Sequence, residues 1–282
     1  MNTATISQTV KPHVLFGAMI VVAFIACYYD VLVWMYGRYT GADSNYSHGF
    51  LIPFISAFFV WRKKDELDGE DISVCWWGLP LVALALVLHL LGTVLYIFAI
   101  SGFSIFFLVL GTCLFVFGKN ITRKLLFPIV FLLFMFPMPM AVIELISFPM
   151  KMLVAHTGAD IVKLTGIPVL REGFMISIPA GEVFVGNPCS GLRSLVAFLA
   201  LGAVFAHLGN ISIAKKVLLF FAAIPVAIIS NVFRIPLLIF IGHFWGVDAV
   251  QPESIWHTGT GLFVFVLALF LMYIAAKALR WK

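Results

Sequence analysis

Eight runs of apolar residues, most of them separated by short connections, leave this chain little choice of fold. A helix needs ~20 consecutive apolar residues to cross the hydrocarbon layer, and within that layer only helices and closed barrels satisfy their own backbone hydrogen bonds. The runs read as helices at about 13 to 37, 46 to 61, 74 to 97, 101 to 118, 124 to 138, 189 to 208, 214 to 241 and 259 to 277. The second and fifth are short, and are expected to tilt or to cross only in part. With 62% hydrophobic and 11% charged residues over 282 positions, no stretch resembles a separate soluble domain. The expected fold is an all-α polytopic membrane protein of about eight transmembrane helices, a single integral membrane domain over residues 1–282. The first run follows Lys11, is too long for a signal-peptide core and lacks a small-residue cleavage site, so it reads as a retained helix.

Loop charge then sets the sides, because Lys and Arg gather in cytoplasmic loops. If the chain alternates, twelve of its eighteen basic residues fall on one side: Lys11, Arg62, Lys63, Lys64, Lys119, Arg123, Lys124, Lys215, Lys216, Lys277, Arg280 and Lys282. Both termini are therefore expected in the cytoplasm. The net charge of +5 is scattered over short loops rather than gathered on one face, which argues for membrane topology and against a nucleic-acid partner. The longest connection, residues 139–188, then lies outside. Its first part, Val142 to Leu164, interleaves apolar residues with Lys151, His156, Asp160 and Lys163, the pattern of an amphipathic helix at the interface. Its second part alternates through Phe174, Ile176 and Ile178, turns at Pro179-Ala180-Gly181 and continues through Glu182 to Val185, which reads as a short extracytoplasmic β-hairpin before Cys189.

Four cysteines, Cys27, Cys75, Cys113 and Cys189, form no CxxC pair and have no His at metal-ligand spacing, so no metal site and no cofactor are expected. The first three sit in or beside apolar runs and read as small hydrophobes. Cys189 differs: it lies in Asn187-Pro188-Cys189-Ser190-Gly191-Leu192-Arg193, at the expected start of the sixth helix, with an arginine one turn later. A helix N-terminus and a nearby cation both lower a thiol pKa, and backbone N–H groups there can hold a developing oxyanion. Small Ser190 and Gly191 would let a substrate backbone approach.

Two further polar clusters share that outer side. Asn231 and Arg234 stand three residues apart in the outer half of the seventh run, where a charge costs roughly 2.5 to 3.5 kcal/mol and marks a functional candidate. His257, followed by Thr258-Gly259-Thr260-Gly261, opens the eighth helix and is suited to acid–base work. Each also has a bland reading: a structural thiol, a snorkelling arginine, an interfacial anchor beside Trp256. Tyr46, Ser47 and His48 fall on the same side, either lining the site or forming an interfacial turn fixed by Gly49 and Pro53. Asp30, in the first helix, has no partner that the sequence names.

In order and spacing, Cys189-Ser190-Gly191-Leu192, Asn231-Val232-Phe233-Arg234-Ile235 and His257-Thr258-Gly259 resemble the Cys, Arg and His motifs of the exosortase/archaeosortase family. Asn45-Tyr46-Ser47-His48-Gly49-Phe50-Leu51-Ile52-Pro53 is similar to the amino-terminal signature of its bacterial members. The resemblance spans about residues 43 to 275, with one departure: Asn187-Pro188 stands where Ala or Glu commonly precedes the Cys. It implies a multi-pass inner-membrane cysteine transpeptidase. The partner would be an exported protein with a carboxy-terminal sorting signal, a Pro-Glu-Pro-type motif followed by an apolar helix and basic residues, which is cleaved and transferred to a surface or matrix acceptor. By the same resemblance Cys189 would be the nucleophile, Arg234 the oxyanion or thiolate stabiliser and His257 the acid and base. Asn231 would orient Arg234 or the substrate. Arg193, at i+4 from Cys189, would meet an acidic residue of the signal, or equally a lipid phosphate. A membrane cysteine peptidase that only hydrolyses, and a transporter or lipid-handling protein, remain alternatives; the inverted repeat expected of the transporter is not evident.

Overall fold

The structure, a computed structural model, describes residues 3–41, 44–186, 191–251 and 253–279. Among these residues, five helices are long and apolar enough to cross a membrane: α1 (Thr3–Thr40, from Gly17 on), α5 (Phe98–Lys124), α7 (Met140–Lys163), α9 (Ile213–Trp245) and α10 (Ile255–Ala278). Three apolar segments are shorter: α4 (Gly78–Val94), residues Leu126–Met135, and α8 (Leu192–Leu208). Length and composition therefore select five spans where about eight were expected.

The two runs marked as short have identifiable causes. The 46–61 run divides into a 3-10 turn, Ser47–Phe50, and α2 (Leu51–Arg62), which reaches only about 18 Å. A short helix α3 (Lys64–Leu67) follows. The 124–138 run gives α6 (Leu126–Phe131) and a 3-10 turn, Leu132–Met135, and stops at Phe136-Pro137-Met138-Pro139, where proline removes donors and forces the preceding residue out of helical geometry. The two short elements pack on one another. Ser56 donates to the Pro128 carbonyl at 2.6 Å, and the Phe59 and Phe127 rings meet edge to face at 5.0 Å.

Apolar helices in lipid gain little from hydrophobicity against each other, so close packing and polar contacts hold them together. The α4–α5 hairpin shows both. A Cβ on Gly92 would lie 2.6 Å from the Ser101 nitrogen, so small residues set how near the two backbones come. His89 Nδ1 meets Ser101 Oγ at 2.6 Å, and Tyr28 of α1 meets Ser104 Oγ at 2.9 Å. Cys113 is buried in this unit, whereas Cys27 and Asp30 lie on the exposed side of α1.

The 139–188 connection departs most from its expectation. Helix α7 runs unbroken through Pro149 for 24 residues and packs its apolar face along the second half of α9. Its polar residues form an outward row in which Asp160 pairs with His156 at 3.2 Å and Lys163 at 3.7 Å. Instead of one hairpin, a three-stranded antiparallel meander follows: β1 (Leu170–Glu172), β2 (Met175–Ile178) and β3 (Gly181–Phe184), with Arg171 opposite Ile176 and Ile176 opposite Val183. Ile176, Ile178, Val183 and Val185 join Val154, Ala159 and Val162 of α7 and Ile235, Leu238 and Ile239 of α9 in one buried core.

That core sits on an overhang of α9. Asn231 and Arg234 are about 30 Å along the helix from Ile213, one hydrocarbon thickness. The eleven residues from Ile235 to Trp245 extend beyond them and carry the sheet and α7. Helices α8 and α10 both begin near the level of Arg234, so three helices contribute residues to one place.

Candidate active site

At that level a cavity of about 910 Å³ opens between the Ser47–Phe50 turn and the starts of α8 and α10. Its polar lining includes His48, Arg193, Ser194, Arg234, Glu253 and His257, and its apolar lining includes Leu51, Ala197, Leu262 and Phe265.

His257 is placed by its own helix end. Ser254 is the N-cap of α10: its hydroxyl accepts the His257 N–H at 3.0 Å, satisfying one of the donors that a helix start leaves open. The chain before it turns through a 3-10 segment, Val247–Val250, which brings the Val250 carbonyl to 3.1 Å from His257 Nδ1. A carbonyl only accepts, so Nδ1 carries the proton and the lone pair of the neutral ring is on Nε2. Nε2 is buried, with no hydrogen-bond partner among the described residues. The ring is thus held in the tautomer of a base.

Arg234 is placed from α9 and lies across the first turns of α10. Its Nη2 donates to the His257 carbonyl at 3.5 Å and would be 3.5 Å from a Cβ on Gly261. Pro236, two residues on, cannot donate to the Val232 carbonyl, so the helix ladder is interrupted beside the charged residue. Asn231, fully buried, backs the site from the same helix.

Gly191 is where α8 meets α9. It takes a left-handed conformation, φ 79°, and a Cβ there would lie 2.8 Å from Asn231 Nδ2. The described helix starts at Leu192, and the expected start at 189, with the i+4 relation of Cys189 to Arg193, falls on residues outside those described. Cys189 and Ser190 lie outside the described residues. The double constraint on Gly191 makes a prediction: Gly191→Ala is expected to lower stability by about 1–2 kcal/mol from backbone conformation alone, with a further loss from displacing Asn231. Thermal unfolding of the purified protein in detergent measures it, and an unchanged midpoint would contradict the packing described.

A family model described as transmembrane exosortase matches residues 34–274, most of the chain. The chain belongs to the transmembrane exosortase family. No curated protein matches it, and no solved structure does. The exosortase match takes in the turn bearing His48, the starts of α8 and α10, and the part of α9 that bears Asn231 and Arg234.

Of the residues singled out in sequence, this exosortase fold brings His48, Arg193, Arg234 and His257 to one cavity and sets Gly191 and Asn231 against each other beside it. Glu253, Ser254 and the Val250 carbonyl were not singled out. Glu253 had a usable signal, a carboxylate in the outer loop four residues before His257. The carbonyl had none, because every residue carries one.

Proposed function

We propose that this exosortase is a cysteine transpeptidase, which cleaves the carboxy-terminal sorting signal of exported proteins at the outer face of the inner membrane and passes the protein to an acceptor nucleophile. The observation that carries the reading is the shared cavity: a base-form imidazole, His257, and two guanidinium groups converge where α8, α9 and α10 meet, in a chain of this family. Both termini are assigned to the cytoplasm, on the basic side of the loops, and membrane lipids surround the helices.

Cys189 supplies the nucleophile. His257 Nε2 takes the thiol proton, and the thiolate attacks the scissile carbonyl. The tetrahedral oxyanion that forms is met by Arg234, whose charge-assisted hydrogen bonds strengthen as negative charge develops. As the C–N bond breaks, Nε2 returns its proton to the leaving amine, leaving a thioester. The acceptor then loses its proton to Nε2 and attacks the thioester carbonyl; the C–S bond breaks and the thiol is restored. Asn231 steadies the wall between α8 and α9. Ser190 and Gly191, both small, let a substrate backbone approach, and Arg193 meets an acidic residue of the signal.

Mass analysis of a processed test substrate, a secreted reporter bearing a Pro-Glu-Pro-type motif, an apolar helix and basic residues, checks this directly. The expected product lacks the tail and carries an added group on its new carboxyl terminus. A free carboxylate would reduce the reaction to hydrolysis, and an intact tail would refute the proposal.

A further inference from the structure

The segment that presents His48 is fastened at almost every other point. Ser44 donates to the Arg38 carbonyl at 2.7 Å and accepts the Tyr46 N–H at 3.1 Å. The Gly49 N–H donates to the Tyr46 carbonyl at 2.8 Å, and the Tyr46 hydroxyl accepts the Met138 N–H at 3.2 Å. The Tyr39 ring occupies the space a Cβ on Gly49 would need, 2.5 Å away, while its hydroxyl donates to the Met135 carbonyl at 2.8 Å. His48 itself stacks on Tyr46, with ring centroids 5.9 Å apart.

Against that background the imidazole is an exception. Both of its ring nitrogens are buried, and among the described residues neither makes a hydrogen bond of good geometry, although the Phe134 carbonyl interacts with the ring. A phenyl ring would stack on Tyr46 as well and would leave nothing unsatisfied. Buried polar groups without partners cost free energy and call for an explanation. Here the ring borders the same cavity as Arg193, Arg234 and His257. The explanation lies in what the cavity binds.

We infer that His48 contacts the substrate: its imidazole hydrogen-bonds the backbone of the peptide segment held in the cavity opposite His257, an inference that rests on the transpeptidase reading. A peptide group offers one donor and one acceptor, which matches a neutral imidazole with one N–H and one lone pair. Burial pushes the His48 pKa down to about 4, so the ring is neutral when the reporter is processed near pH 7. Proton transfer remains with His257, whose lone pair is aimed by Val250. The division is of labour between two histidines: one moves protons and the other holds the backbone still.

Two substitutions test it on the purified full-length protein with the tailed reporter. His48→Phe keeps the stack on Tyr46 and removes both polar atoms. It is expected to lower kcat/KM by about tenfold or more while the melting temperature holds or rises. His48→Gln, which keeps a donor and an acceptor, is expected to stay within about threefold of the starting rate. Wild-type processing by His48→Phe would overturn the inference. So would a fall in melting temperature that accompanies lost activity in both variants, since that is the signature of a packing role. Cys189→Ala, assayed in parallel, separates the two levels. If it still processes the reporter, the transpeptidase reading fails; if it is inactive while His48→Phe is fully active, only the role given to His48 fails.

Discussion

Cys189→Ala is expected to lower removal of the sorting tail by roughly 10⁴-fold or more, the scale seen when the nucleophile of a covalent mechanism is deleted. The size of the effect follows from what is left behind. Arg234 and the cavity can still bind and polarise the substrate, but no group remains to form the acyl intermediate. No other cysteine can take over. Cys113 is buried in α5, Cys27 is on the exposed side of α1, and Cys75 lies before α4; none of them borders the cavity. Cys189→Ser is expected to fall nearly as far, because an alcohol yields its proton to an imidazole much less readily than a thiol does. Following tail loss by immunoblot in membranes is sufficient, and processing by the alanine variant at a tenth of the normal rate would exclude Cys189 as nucleophile.

The second large effect is expected at His257. His257→Gln keeps a polar side chain near the Val250 carbonyl but removes the lone pair that this contact aims, and general acid–base groups contribute about 10²–10⁴-fold. In the proposed mechanism both halves of the reaction pass through Nε2, so acylation and transfer should slow together. Single-turnover measurement of thioester formation distinguishes this from a binding defect: the glutamine variant should form the intermediate slowly at saturating substrate. Normal acylation with only slow transfer would mean that another group deprotonates the thiol.

The grouping of Arg234 with His257 was legible because it depends only on alternation. An even number of crossings separates residues on one membrane side, and the errors in individual spans did not disturb their shared level. The turn bearing His48 was legible for a local reason, the Gly49 and Pro53 punctuation. Where the reading diverged, the deciding interactions were long-range or belonged to the backbone. The Lys151, His156, Asp160 and Lys163 row looked like a face turned to lipid headgroups, yet the opposite face of α7 is buried by Ile235 to Ile239, which sequence spacing does not connect to it. Likewise, a helix from 189 onward fits the apolar pattern. Only the contact between Gly191 and Asn231, forty positions apart, shows why the backbone turns left-handed there. The early end of α6 was written in Pro137 and Pro139, but hydropathy alone runs through them.

The overhanging helix has a consequence for substrate choice. Helix α9 begins beside Lys215 and Lys216, reaches the arginine of the site about 30 Å later, and is continuous between them. On the transpeptidase reading, a substrate tail that lies alongside, with its own basic residues at the far headgroups and its scissile bond at Arg234, is thereby measured against a fixed rod. Apolar tails of ~20 helical residues bring the bond into register, and longer ones carry it past the site. On that reading, selectivity resides partly in a length, set by the number of residues between a lysine pair and an arginine on one helix.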